Sequence, residues 1–233
     1  MAGSIFREDE SLALLTDQYE LTMAMAYWKN GLAEAEGAFQ MFFRRLPFHG
    51  GFVVMAGLEP LLEYLGRWRF SRGDMDYLAT LKDNAGHPLF EEPFLRYLEA
   101  LRFSCDVDAV EEGTAVFPNE PLIRVRGPII QAQLLESAIL NIINYQSLIA
   151  TKSARCCMAA KGDPVIEFGL RRAQGPDGAI SASRAAYIGG CAGSSNTLAG
   201  KLFGMPVMGT HAHSWVMAFD SEQEAIKIGR AHV

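Results

Sequence analysis

The chain has 233 residues, 49% of them hydrophobic and 21% charged, an ordinary globular composition that excludes a disordered segment or a disulfide-stapled miniprotein. A chain of this length predicts one or two domains and can bury roughly 70% of its unfolded surface. Lys and Arg total 21 against 27 Asp and Glu, a net charge of −6, which argues against wholesale binding to nucleic acid or to an anionic membrane. The N-terminal stretch MAGSIFREDESLALLTDQ is polar and acidic and does not read as a signal peptide. No apolar run reaches the ~18 residues of a membrane span, because Gln131, Glu136, Asn141 and Asn144 interrupt the longest ones. Cys105, Cys156, Cys157 and Cys191 form no Cys-x-x-Cys pair, so the expectation is reduced thiols in a cytoplasmic protein.

In chain order, residues 11–30 read as a helix, with Asp17 placed to cap a start at Gln18 and Gly31 placed to stop it. Residues 37–46 read as an aromatic strand, Glu59 to about Trp68 as a helix, and 73–102 as two helical pieces split by NAGHP. From 105 to 130 short β-type runs alternate with EEG, PNE and GP turns. A long helix is expected over 131–160. Beyond it come a strand (164–169), a tight polar loop RRAQGPDG, a helix (181–190), a helix (196–204) and a strand with a polar tip (206–215). Strand–helix alternation with polar residues after the strands is the grammar of a parallel α/β barrel. About two strand units are present where a barrel needs roughly eight, so the chain reads as incomplete. Ile226 to Val233, ending IGRAHV, are expected to be a non-native tail.

Several segments can carry chemistry. On a strand, His211 and His213 of THAHSW project to one side. They read as a metal-binding pair that needs a third ligand, as a nucleophilic histidine beside the hydroxyls of Thr210 and Ser214, or as exposed polar residues. His49, His87 and His232 stand in weaker contexts. EFGLRRAQGPDG pairs a strand end at Phe168 with Arg171 and Arg172, whose planar donors suit phosphate; the alternative is a solvated turn. YIGGCAGSSNTLAGK offers glycines and hydroxyls before a helix, an anion cradle or an ordinary helix entry capped by Ser194 or Ser195. It matches neither G-x-x-x-x-G-K-[ST] nor G-x-G-x-x-G. Tyr19 sits in the apolar helix LLTDQYELTM, where position alone makes it a core or interface residue.

LLTDQYELTM, FFRRLPF, GLRRAQGPDG, GSSNTLAG and GTHAHSW, in this order and spacing from Leu14 to about Ala225, resemble the nicotinate phosphoribosyltransferase family. The resemblance implies an α/β fold class: an N-terminal α/β (α+β) domain over 1–149, whose helix 131–149 leads into the first part of a type II phosphoribosyltransferase (TIM-like) barrel over 150–225. It implies transfer of a phosphoribosyl group from phosphoribosyl pyrophosphate to nicotinate, coupled to ATP with Mg²⁺ through a phosphohistidine at His213. It maps Tyr19, given across a homodimer interface, and Phe168 to the two faces of an aromatic sandwich for the pyridine ring. It maps Thr210 to a nicotinate contact, and Arg171 and Asn196 to the pocket lining. Family members are about twice this length, so a carboxylate-binding arginine and a ribose-phosphate loop are expected beyond this chain, which alone is expected to be inactive or weakly active. The competing readings are a nicotinamide or quinolinate phosphoribosyltransferase, a metal-dependent hydrolase using His211 and His213, and a non-catalytic binding fragment.

Overall fold

A computed structural model describes residues 12–229; His232 and the last residues of the expected tail lie outside them. Of the helix expected over 11–30, the described residues 12–17 are turns and irregular backbone, and helix α1 (Gln18–Lys29) begins only after Asp17; the turn behind it closes at Gly31 with φ +70, a left-handed conformation that glycine adopts without strain. The Asp17 carboxylate does not cap the helix. It accepts instead from the Ser137 hydroxyl at 2.6 Å.

Strand β1 (Glu36–Met41) is the predicted aromatic strand, shortened at its far end. The turn-rich region supplies β3 (Asp106–Ala109) and β5 (Ile123–Pro128), and the three form an antiparallel sheet in the order β1–β5–β3. The period-two pattern of β5 explains this: Ile123 and Val125 are buried, whereas Arg124 and Arg126 face outward and pair with Asp108 and Asp106 across the register. A second antiparallel pair joins β2 (Val53–Val54) to β4 (Ala115–Val116). Helices α2 (Leu58–Arg67), α3 (Arg72–Leu78) and α4 (Glu92–Ala100) cover the core with Leu61, Tyr64, Leu78, Phe94 and Leu98. A reciprocal Ser71–Asp74 capping box starts α3.

The long helix expected over 131–160 is two helices, α5 (Ile129–Leu134) and α6 (Glu136–Ala159), separated at Leu135. Residues 130–134 are all buried, so α5 is covered on every side, while α6 runs on as an amphipathic helix.

The remainder follows a parallel course. β6 (Ile166–Glu167) pairs with β7 (Gly193–Ser194), and Ser194 bridges onward to Val207, also parallel. Helices α7 (Gly175–Ile188) and α8 (Thr197–Phe203) lie between these strands in sequence. The chain is thus mixed α/β. Helix α7 starts six residues before the predicted 181, inside the supposed tight loop. Pro176 in the first turn and Asp177 near the positive helix end are start signals that outweigh the loop-forming glycines. The cap of α8 is Asn196, whose Oδ1 accepts from the Ala199 N–H at 3.2 Å, rather than Ser194 or Ser195.

The strand expected over 206–215 is corrected most. Only Val207 bridges, and His213 opens a short helix, α9 (His213–Met217), so His211 and His213 do not share a strand face. The reason lies in Trp215, whose ring packs tilted at 58° against Phe219 with centroids 4.9 Å apart and whose indole N–H donates to the Ala225 carbonyl of α10 (Glu222–Gly229). Residues 226–229 of the expected tail continue α10.

Helices α6 and α7 pack through small residues. A Cβ at Gly189 would lie 2.3 Å from the Ala150 carbonyl oxygen. Beside this contact, buried Arg184 of α7 forms two bonds to Glu112, at 2.9 and 2.7 Å, and one to Glu59. Burial pushes the Glu112 carboxyl up, but Arg184 and the N–H groups of Gly57 and Leu58 outweigh it and hold the carboxyl below its ordinary value. Arg184→Met strands the Glu112 charge and is expected to cost about 3–5 kcal/mol in urea unfolding. Adding Glu112→Gln should recover most of that loss, because the amide oxygen still accepts from Gly57 and Leu58.

Candidate functional site

Parallel strands align their carboxyl ends on one edge, and here three loops leave that edge together. Phe168 follows β6, Asn196 follows β7, and Thr210 lies three residues beyond the bridging Val207. The ladder is regular: Ala192 N–H to the Val165 carbonyl (2.8 Å), Ser195 N–H to the Glu167 carbonyl (2.9 Å), and Met208 N–H to the Ser194 carbonyl (3.0 Å).

Phe168 is 48% exposed, and Arg171 stands exposed in the 3-10 turn Leu170–Arg172. Thr210, His213 and Ser214 are exposed as well. Asn196 differs, being buried in a polar knot that the sequence reading did not foresee. The knot is organised by Glu167, the last residue of β6. Its Oε2 accepts from the Ser183 hydroxyl of α7 (2.9 Å) and the Ser194 hydroxyl of β7 (2.6 Å), and its Oε1 accepts from the Gly169 N–H. Asn196 joins by donating its backbone N–H to Ser194 Oγ (2.9 Å) and its amide to Ser183 Oγ (3.3 Å). The available signal was a glutamate ending an apolar strand beside Phe-Gly, a position where a charge needs internal partners.

Tyr19 lies elsewhere. Its ring, 52% exposed, lines a groove with Leu15, Phe42, Ser137 and Asn141. A second groove between α6 and α7, lined by Tyr145, Gln146, Asp177 and Ser181, shares Leu15 and Asn141 with the first. Neither Tyr19 nor Phe168 takes part in a ring pair among the described residues, so the two rings expected to face each other are not brought together within one copy of the chain. The charge of Glu136, then burial and the charges of Glu20 and Asp17, raise the Tyr19 phenol above its usual pKa. Its neighbour Glu20 is fully buried. Burial raises the Glu20 carboxyl, against the lowering hydrogen bonds of Thr16 and Ser137.

Among the described residues, no group of three or more His, Cys, Asp or Glu side chains is arranged to hold a metal ion. No described helix is long and apolar enough to cross a membrane. The four cysteines are free thiols.

Two outcomes follow from this geometry. Folded Glu20 binds its proton above the ordinary 4.5 of an unfolded glutamate, so its contribution to stability should fall as pH rises from 4.5 through the raised value. Glu20→Gln should remove that decline in a series of melting curves across pH. Asn196→Ala removes a cap and a strut of the knot and is expected to cost about 1–2 kcal/mol by denaturant titration.

Residues 14–144 match the family model described as the nicotinate phosphoribosyltransferase (NAPRTase) N-terminal domain. A nicotinate phosphoribosyltransferase of Caenorhabditis elegans is 47% identical over 213 residues, covering 91% of this chain and 37% of that protein. One from Bacillus subtilis (strain 168) is 46% identical over 220 residues, covering 94% and 44%. The crystal structure of human nicotinic acid phosphoribosyltransferase superposes with a TM-score of 0.80 at 44% identity, over 88% of this chain and 40% of that one. A nicotinate-nucleotide pyrophosphorylase from Pyrococcus furiosus, at 23% identity and a TM-score of 0.73, shares the fold. The chain spans less than half the length of these curated relatives. With more than half of its residues inside the family model, the chain belongs to the nicotinate phosphoribosyltransferase family, whose N-terminal domain it contains.

Proposed function

We propose that this chain supplies the N-terminal domain and one edge of the active site of an ATP-coupled nicotinate phosphoribosyltransferase. The observation that carries this reading is the common strand edge from which Phe168, Asn196 and Thr210 leave, in a member of that family. On this reading residues 1–149 are the N-terminal domain and 150–225 the first part of the phosphoribosyltransferase barrel. The substrates are nicotinate, phosphoribosyl pyrophosphate and ATP, the assembly is a homodimer, and the location is the cytoplasm.

A flat heteroaromatic acid suits an aromatic sandwich with a polar rim. Phe168 supplies one face. Tyr19, exposed on α1 and unpaired with Phe168 in its own chain, supplies the other face to the partner copy's site. Thr210 offers a hydroxyl to the nicotinate, and Arg171 offers planar donors where diphosphate departs. Asn196 shapes the pocket wall from within. Mg²⁺ arrives with the phosphate substrates; the described residues show no cluster built to cage it.

His213 is the phosphoryl acceptor. A neutral imidazole nitrogen attacks the γ-phosphorus of ATP, ADP leaves, and water later returns the histidine and releases phosphate. Its exposure at the start of α9 leaves the ring open to a nucleotide, and the Ser214 hydroxyl beside it can orient the phosphoryl group. The coupling acts only through a difference in substrate affinity between the phosphorylated and free states.

The purified protein incubated with γ-labelled ATP and Mg²⁺ is expected to carry acid-labile phosphate on His213. His213→Ala should abolish the label while leaving the melting temperature unchanged. Undiminished labelling in the variant would remove the phosphohistidine.

A further inference from the structure

We propose that Glu167 is the positioning residue of the pyridine pocket, clamping the backbone on both sides of Phe168 and tying it to the Asn196 turn without touching substrate. The inference rests on the nicotinate reading above and adds a residue to it. Phe168 is the pocket's aromatic wall on that reading, yet it is half exposed and sits in a loop. Such a ring is useful only if its backbone cannot drift.

Glu167 prevents the drift from two directions. Its carbonyl accepts the Ser195 N–H at 2.9 Å, which locks the residue before Phe168 to the strand beside it. Its carboxylate folds forward and accepts the N–H of Gly169, the residue after Phe168. A Cβ at Gly169 would lie 2.8 Å from Glu167 Oε1, so the clamp occupies the space that any larger residue there would need. The other carboxylate oxygen takes the Ser183 and Ser194 hydroxyls at 2.9 and 2.6 Å. Ser194 in turn accepts the Asn196 N–H at 2.9 Å. One side chain thus couples β6, α7, β7 and the Asn196 turn.

The carboxylate is committed to three internal donors, which makes it a support rather than a base. An amide replaces it poorly. In Glu167→Gln the NH₂ must face either the Gly169 N–H, which cannot rotate away, or the two hydroxyls. In the second case Ser183 must turn its proton to the Ala179 carbonyl at 3.0 Å and Ser194 must turn its proton to Ser183 Oγ at 3.3 Å, so the charge-assisted bonds are lost and the network is reversed.

The test is steady-state kinetics of the intact protein with each substrate varied. Glu167→Gln should raise KM for nicotinate about tenfold, leave KM for phosphoribosyl pyrophosphate unchanged and keep kcat within about threefold. Ser183→Ala, which removes one donor, should shift the nicotinate KM in the same direction by about two- to threefold, and it carries the test if Glu167→Gln does not fold. A fall in kcat with unchanged nicotinate KM, or equal shifts in every KM, overturns the proposal. This chain alone is expected to turn over little or no nicotinate, so the kinetics are read on the protein carrying the rest of the barrel, and absence of nicotinate turnover there instead overturns the activity reading. Amide hydrogen exchange at Gly169 then judges the clamp separately: protection lost in Glu167→Gln supports it, and equal exchange in both proteins removes it.

Discussion

The contact between Arg184 and Glu112 orients the second half of the fold on the first. Helices α6 and α7 meet through Ala150, Ala185 and Gly189 at the end of α7, small residues that let the two backbones approach closely. Arg184 adds a directional contact to that packing. Its guanidinium meets Glu112 in a two-bond fork and lies 5.9 Å over the Phe203 ring, while Glu112 also receives two backbone N–H groups at the start of α2. Desolvating two charges is costly, and the fork with its extra donors offsets that cost only in one geometry. The gain is register more than stability. The residue before Arg184 is Ser183, so the same turn of α7 that grips the N-terminal unit also delivers a hydroxyl to Glu167.

A parallel logic governs α1. Tyr19 faces solvent while the next residue, Glu20, is fully buried, and the Tyr19 hydroxyl reaches Glu20 Oε1 at 3.5 Å. The Ser137 oxygen lies 2.6 Å from Asp17 Oδ2 and 3.1 Å from Glu20 Oε1, and its single proton can serve only one of them. The two carboxylates share that donor, and burial keeps the Glu20 carboxyl above its ordinary pKa. The Gln133 amide adds a bond to the Glu20 carbonyl at 3.2 Å. The outward position of Tyr19 is therefore fixed by what its neighbour buries.

What the sequence made legible was the local part. Amphipathic α2 and α4, the turn-punctuated sheet and the stop at Gly31 all follow from patterns within ten or so residues. Three failures have one cause: competition settled by distant partners. The strand expected at 206–215 has alternation but no partner past Val207, while Trp215 finds a better one in α10. The loop at 175–178 has turn residues, yet Gly178 packs under the Tyr145 hydroxyl, which bonds its carbonyl at 3.1 Å. The polar knot at Glu167 joins residues 16 and 27 positions away, and no period in the chain announces it. The proposed site residues Tyr19, Phe168, Thr210 and His213 are marked by ordered family motifs rather than by physical pattern, because exposed side chains leave no burial signature.

That contrast has a structural meaning. Phe168 and Thr210, two of the residues read as chemical, are exposed and leave the strand edge, where they can approach a ligand. The residues beneath them, Glu167, Ser183, Ser194 and Asn196, have their polar atoms turned on one another. A strand of two residues cannot hold a loop by backbone bonds alone, since its ladder offers too few. The side-chain knot supplies the missing rigidity at the edge where the loops depart. Short strands and a half-buried, charged knot are thus two halves of one solution, and a larger apolar residue at 167 would pack the strand but leave Gly169, Ser194 and the ring between them without an anchor.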